Sequence, residues 1–434
     1  MQTLGWISLW PLFCAGWLTC AHAGGPRDFD AIDRHALAAP AGLQRSPQQL
    51  VEYLVQPARD DTDKARAIFR WLAEHVEYDV ASYLAGTIVP QSASDVLTSG
   101  KAVCSGFATA FESLARLAGL EAVSVHGYAK GFGYQPGDAV GPANHDWNAV
   151  RLQGRWQLLD ATWAAGGVDE RGQYRRRFEP FYFLADPALL AYSHLPEDPR
   201  WRLLDSLMTP AAFAGLARPQ PAFFRLGLDL ARQRQHTLAP HCNRFAVSLD
   251  VPSTVALTAT LTRSGQLQEH ATLVQRHAQQ ARVEVVLPAP GEYRLNLYAK
   301  PQADGQAPFD AVLTYRITAS KALPTAARLP ESYATFREVG ARLHSPLAGQ
   351  LALGGLQVFA LTVPGAAEVA VVSAAGDWTR LERNGAEFAG AAPISGATKV
   401  VARFGDPSAS YFTLLAYQGV AAAALSPLPE SCAP

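Results

Sequence analysis

A chain of 434 residues with 37 Lys and Arg against 38 Asp and Glu is close to electroneutral. That excludes the strong positive field that nucleic acid or an anionic membrane surface would select. With 49% hydrophobic and 10% aromatic residues, wholesale disorder is excluded as well. At ~150 residues per domain, the length corresponds to about three domains. Charged residues make up only 17%, beside 34 Gly and 30 Pro, a texture of loops and strands rather than of a coiled coil or helical solenoid.

Residues 1–23 contain no charged side chain, and an apolar run from Leu4 to Leu18 is too short to span a bilayer. Ala21-His22-Ala23 ahead of Gly24-Gly25 is the small-x-small pattern of a cleavable export signal, although the usual basic start is missing. The expectation is cleavage after Ala23 and export to a periplasmic or extracellular location, with no transmembrane helix in the mature chain. A lipid anchor at Cys20 is the alternative. Removal of this segment leaves Cys104, Cys242 and Cys432. In an oxidising compartment an odd number implies one free thiol or an intermolecular bond. Cys242 and Cys432 could pair, which would leave Cys104 reduced.

Residues 24–58 read as a polar N-terminal arm; Asp28, Asp30 and Asp33 lack the Gly and the terminal Glu of a calcium loop. Asp61, Thr62 and Asp63 then cap a helix with Ile68, Trp71, Leu72 and Val76 on its apolar stripe. A second helix starts near Cys104, carries Phe107, Phe111 and Leu114, and stops at Gly119. Ala122 to Tyr128 reads as a strand, followed by a Gly- and Pro-rich loop from Lys130 to Asn144. His145 to Leu152 and Arg155 to Thr162 form two strands around a tight turn at Gln153-Gly154. Beyond Phe245 two sets of short strands, separated near Lys321 to Pro324, have the spacing of β-sandwiches. The first set includes Phe245–Val251, Val255–Thr262, Ala281–Leu287, Glu292–Tyr298 and Val312–Thr318; the second includes Leu356–Val363, Glu368–Ser373, Thr398–Phe404 and Ser410–Tyr417.

The chemistry-bearing candidates are Cys104, His145 and Asp160. A helix N-terminus lowers a thiol's pKa, which suits Cys104 to a nucleophile's place. The two-residue turn sets the hairpin register so that His145 faces position 162, with Asp160 a diagonal step away on the same side. A carboxylate there can orient an imidazole toward a thiol, the arrangement of a nucleophile–base–orienter triad. Packing is the competing reading for each residue taken alone. His75 and His126 read as core or rim histidines. His241-Cys242 has no partners at metal-ligand spacing, and Gly100-Lys101-Ala102 lacks the remainder of a phosphate loop. No metal or other cofactor is expected.

Three segments carry a family resemblance: Gly100-Lys101-Ala102-Val103-Cys104-Ser105-Gly106-Phe107-Ala108, His145-Asp146-Trp147-Asn148-Ala149-Val150, and Leu159-Asp160-Ala161-Thr162-Trp163. Together they resemble the transglutaminase-like superfamily. Phe181-Tyr182-Phe183-Leu184, His194-Leu195-Pro196 and Trp201-Arg202-Leu203-Leu204 are similar to its kyphoscoliosis-peptidase-like branch. The fold this implies is an α+β papain-like domain over 59–216, immunoglobulin-like sandwiches over 217–320 and 321–421, and a tail over 422–434. By that resemblance Cys104 is the nucleophile, His145 the general base and acid, and Asp160 the orienter. Trp163 and Trp147 are candidates for lining the site, Trp163 also as an oxyanion donor, with core packing the alternative for both. Lys101 and Ala102 stand where Arg and Gly are common. The implied activity is acyl transfer from a protein or peptide amide through a thioester on Cys104. Water as acceptor makes a peptidase or amidase, and an amine makes a crosslinking enzyme. The reading from another class is an inert scaffold or binding protein that works through its sandwich modules.

Overall fold

The computed structural model describes residues 27–434 apart from 170, 206–207, 231–232, 306 and 323–324. The expected export segment, its cleavage site after Ala23 and the alternative anchor at Cys20 lie outside the described residues. No helix among the described residues is long and apolar enough to cross a membrane.

The first core is organised by the helix Asp61–His75, which begins where the Asp60 carboxylate accepts a hydrogen bond from the Asp63 amide. It is enclosed on nearly every side, so its arginines must find partners inside the fold. Arg66 forks onto Asp33 with both bonds at 2.7 Å and lies against the rings of Phe29 and Phe183. The segment read as a polar arm is thereby part of the domain. Helices Asp30–Leu37 and Pro47–Leu54 bury Ile32, Ala36, Leu50, Val51 and Leu54. Its polar texture belongs to the outer faces of two short amphipathic helices.

The helix Cys104–Leu117 buries Phe107, Phe111 and Leu114 and ends ahead of Gly119, whose φ of 76° is the left-handed turn expected there. It packs against a four-stranded antiparallel sheet ordered Arg155–Leu159, His145–Leu152, Glu121–Ala129, His194–Pro196. The hairpin has the expected register, Leu152 opposite Arg155 and Asn148 opposite Leu159. Gln153 and Gly154 both take positive φ, as a two-residue turn of matching twist requires. One boundary differs: the second strand stops at Leu159, because Asp160 caps the short helix Ala161–Ala165 instead of continuing the ladder.

A second core lies between two sheets. One contains Arg244–Asp250, Thr272–His277 and Gln280–Val286, the other Val255–Arg263, Gly291–Pro301 and Asp310–Ala319. A third core lies between sheets built on Ala366–Ser373, Thr398–Phe404 and Tyr411–Val420, and on Leu356–Thr362 and Glu387–Pro393. The C-terminal tail returns to the first of these modules, where Ser431–Cys432 runs parallel to Arg244 and Phe245. The open pairing is thus resolved: Cys242 and Cys432 are bonded across Cα atoms 6.1 Å apart, and Cys104 is free and half-buried.

Candidate functional site

Asp160 is the hub of the site. As a helix cap it turns one carboxylate oxygen, Oδ1, onto the amides of Thr162 (2.8 Å) and Trp163 (3.0 Å). Its other oxygen, Oδ2, accepts from two imidazoles at once, His145 Nε2 at 2.8 Å and His194 Nε2 at 3.1 Å. His194 reaches it because its strand pairs with Tyr128 and Ala129 at the far side of the sheet. The His194 Nδ1 accepts from the Ser193 hydroxyl at 2.8 Å. Exposure is 6% for His145, 1% for Asp160 and 2% for His194, so each charge is set by its neighbours rather than by water.

Burial pulls the His145 imidazole down, but the Asp160 carboxylate outweighs it and pushes the ring up to about 10, with Cys104 adding to the rise. For Asp160, burial works upward and is outweighed by His145 and then His194, which hold the carboxyl well below its usual range. His194 goes the other way: burial brings it down to about 4, only partly opposed by Asp160. At neutral pH the cluster is an imidazolium, a carboxylate and a neutral imidazole. Aromatic rings enclose it: Trp163 at 5.4 Å from His145 and 4.4 Å from His194, and Trp147 stacked 5.8 Å from His145.

This arrangement corrects the expected Cys-His-Asp catalytic triad. Among the described residues, the histidine, cysteine and acidic side chains whose polar atoms all lie within 4.8 Å of one another are His145, Asp160 and His194, with no cysteine among them. Asp160 is shared between two rings rather than dedicated to one, and Cys104 stands outside the cluster, beside His145, whose rise it shares. The cysteine-peptidase and thioester acyl-transfer reading is overturned on these grounds. Counting along the hairpin correctly located Asp160 beside His145, but it carried no information about the strand at His194. That residue appeared in the sequence only as part of the His194-Leu195-Pro196 motif, although a Ser-His pair in an apolar stretch was the available signal. The three side chains could offer atoms to one cation, but His145 would first have to give up its proton.

Beside the cluster opens a cleft of about 1090 Å³, lined by His145, Trp163, Tyr182 and Arg218, by the loop around Phe132, and by Asp310 of the adjoining sandwich. Of the two tryptophans expected at the site, Trp163 is on this wall, whereas Trp147 is in the core at 1% exposure. Cys104 and Asp160 are not among the lining residues. The Gly- and Pro-rich loop after Lys130 is fastened to the sandwich, Arg294 donating to Gln135 at 2.6 Å. Two cations missed from the sequence stand here. Lys130 is fully buried and donates to the Leu216 carbonyl at 2.6 Å. Arg218 faces the cleft.

Residues 48–161 match the family model described as the transglutaminase-like superfamily, and residues 210–330 match the KY-like, immunoglobulin-like domain. The chain belongs to the transglutaminase-like superfamily. It is homologous to kyphoscoliosis-peptidase-like proteins, being 32% identical to human kyphoscoliosis peptidase over 67% of this chain and 43% of that one. The mouse protein of that name is 31% identical over the same shares. Hillarin of Drosophila melanogaster is 30% identical over 48% of this chain and 26% of its own length. The chain therefore spans less than half the length of these relatives. The segment matching the transglutaminase-like superfamily supplies His145 and Asp160, the stretch between the two matches supplies His194, and the immunoglobulin-like module supplies one wall of the cleft.

Proposed function

We propose that this is an exported binding or scaffolding protein that holds a protein or peptide segment in the cleft of its transglutaminase-like domain and carries out no thioester chemistry. The observation that carries this reading is the His145–Asp160–His194 cluster, whose three members share one buried carboxylate and include no cysteine. In this reading His145 and Trp163 face the bound segment, Asp160 fixes the orientation of His145, and Trp147 backs the wall from the core. A cleft of about 1090 Å³ between two domains suits an extended chain better than a small metabolite. The sheets around the third core serve as a second immunoglobulin-like sandwich, extending the surface for partners.

The test uses a fluorescein-labelled casein digest, with polarisation reporting binding and mass spectrometry together with amine release reporting turnover. The expected result is saturable binding without new fragments or released amine, and affinity within about twofold in Cys104→Ala. Amide turnover that is present in the native chain and lost in Cys104→Ala would overturn the proposal.

A further inference from the structure

The cleft wall contains a positive charge with no counter-ion among the described residues. Arg218 is half-buried and lines the cavity, so the surface it retains faces the space where a ligand would sit. Its guanidinium lies 5.5 Å from the Trp163 ring. Its recorded hydrogen bond is a long one, from Nη1 to the Gly131 carbonyl at 3.4 Å. A guanidinium has five N–H donors in a planar fork. Among the described residues, no carboxylate stands within ion-pair distance of it.

The acids around the cleft are already engaged. Asp169 holds Arg175 at 2.7 Å, Glu179 holds Arg225 at 3.0 Å, and Asp138 accepts the Gln135 amide at 2.7 Å. Asp310 stands between Arg177 and Arg225, and Asp160 is committed to its two histidines. Lys130, a second cation, sits over the Phe213 ring at 4.6 Å with a carbonyl for a partner. Burial, and after it the neighbouring Arg218, brings its ammonium down to about 7. Burial likewise lowers Arg218. A cation kept from water without an anion is unfavourable until one arrives.

We infer that the cleft selects a peptide bearing a carboxylate, which docks on the Arg218 guanidinium where it lines the cleft, against the face of Trp163. This rests on the peptide-binding reading above and names the chemistry of what is bound. The fork matches a carboxylate in two parallel bonds, and the ring beneath holds the guanidinium plane in place.

Three unlabelled peptides of glycine, phenylalanine and one variable residue type test it by titration calorimetry on the full chain. The first carries glutamate with an amidated C-terminus, the second glutamine with a free C-terminal carboxylate, and the third glutamine with an amidated C-terminus. At least one carboxylate peptide should bind about tenfold tighter than the neutral one. Arg218→Gln should reduce that preference to about onefold, and Arg218→Lys should keep only part of it. Raising the salt on the native chain, which calls for no variant to fold, should weaken the carboxylate peptide and spare the neutral one. The first two peptides separate a side-chain carboxylate from a chain terminus. Equal affinity for all three overturns the anion site and leaves the binding reading standing, whereas binding of none overturns both.

Discussion

Two groups of charge lie beside the same cleft and are settled in opposite ways. In the His145–Asp160–His194 cluster the carboxylate receives two amides and two imidazoles, so its charge is balanced and its lone pairs are used. At Lys130 and Arg218 the partners are carbonyl oxygens and aromatic faces, which orient a cation without neutralising it. The satisfied group holds a structure together, and the unsatisfied group leaves free energy to be gained from a ligand. The difference assigns Asp160 and His194 to the scaffold and Arg218 to recognition.

The largest effect should follow from removing the charge at the hub. Asp160→Asn keeps an oxygen for the amides of Thr162 and Trp163 but leaves the His145 imidazolium buried without its counter-ion. Breaking one partner of such a pair costs about 3–5 kcal/mol. Urea denaturation at pH 7 should show a loss of that order. A loss below about 0.5 kcal/mol would mean that the cluster is not balanced as described.

The two imidazoles sharpen the comparison through pH. His194 falls from 6.5 to about 4 in the folded chain, so between those values the unfolded state binds a proton that the folded state does not. Stability therefore decreases as pH falls through that window, by about 3 kcal/mol for a displacement of this size. His145 is raised and stays protonated in the folded chain, so it adds stability as pH falls through 6.5 and levels off below, a contribution shared by native and variant chains. His194→Gln keeps a donor toward Asp160 and cannot titrate. The difference between native and variant denaturation midpoints, followed from pH 7 to pH 4, should shrink toward the acid end. A constant difference would show that His194 is not the neutral member.

These relations were legible in the sequence only where they are local. The pairing of His145 with Asp160 follows from the two-residue turn at Gln153-Gly154, because a hairpin's register is set by its turn. His194 and Arg218 join the site through long-range pairing and domain contact, for which spacing along the chain holds no record. The same limit applies to the sandwiches. Val255–Arg263 alternates along much of its length and Thr398–Phe404 carries the β-branched Thr398, Val400 and Val401, so both are expected nearly as found. Thr272–His277 ends in polar residues and Glu387–Pro393 is built of Ala and Gly, so neither has the β-branched texture that marks a strand. The Asp30–Leu37 helix was hidden in its polar segment because what anchors it is a buried ion pair, Asp33 with Arg66.

The smallest effect should come from Lys130, for the reason that makes Asp160→Asn severe. Lys130→Met removes an ammonium that burial has already brought down to about 7 and replaces it with an apolar chain of similar length among Phe213 and Tyr134. The lost bond to the Leu216 carbonyl costs about 1 kcal/mol, and relief from holding an uncompensated cation offsets it. Urea midpoints at pH 7 should therefore agree within about 1 kcal/mol, in contrast to the large loss at Asp160. The variant also leaves Arg218 with one fewer positive neighbour, so its hold on a carboxylate peptide should weaken only modestly, by about twofold. A loss of several kcal/mol would show that Lys130 is a satisfied structural group like Asp160, and the contrast between the two groups would disappear.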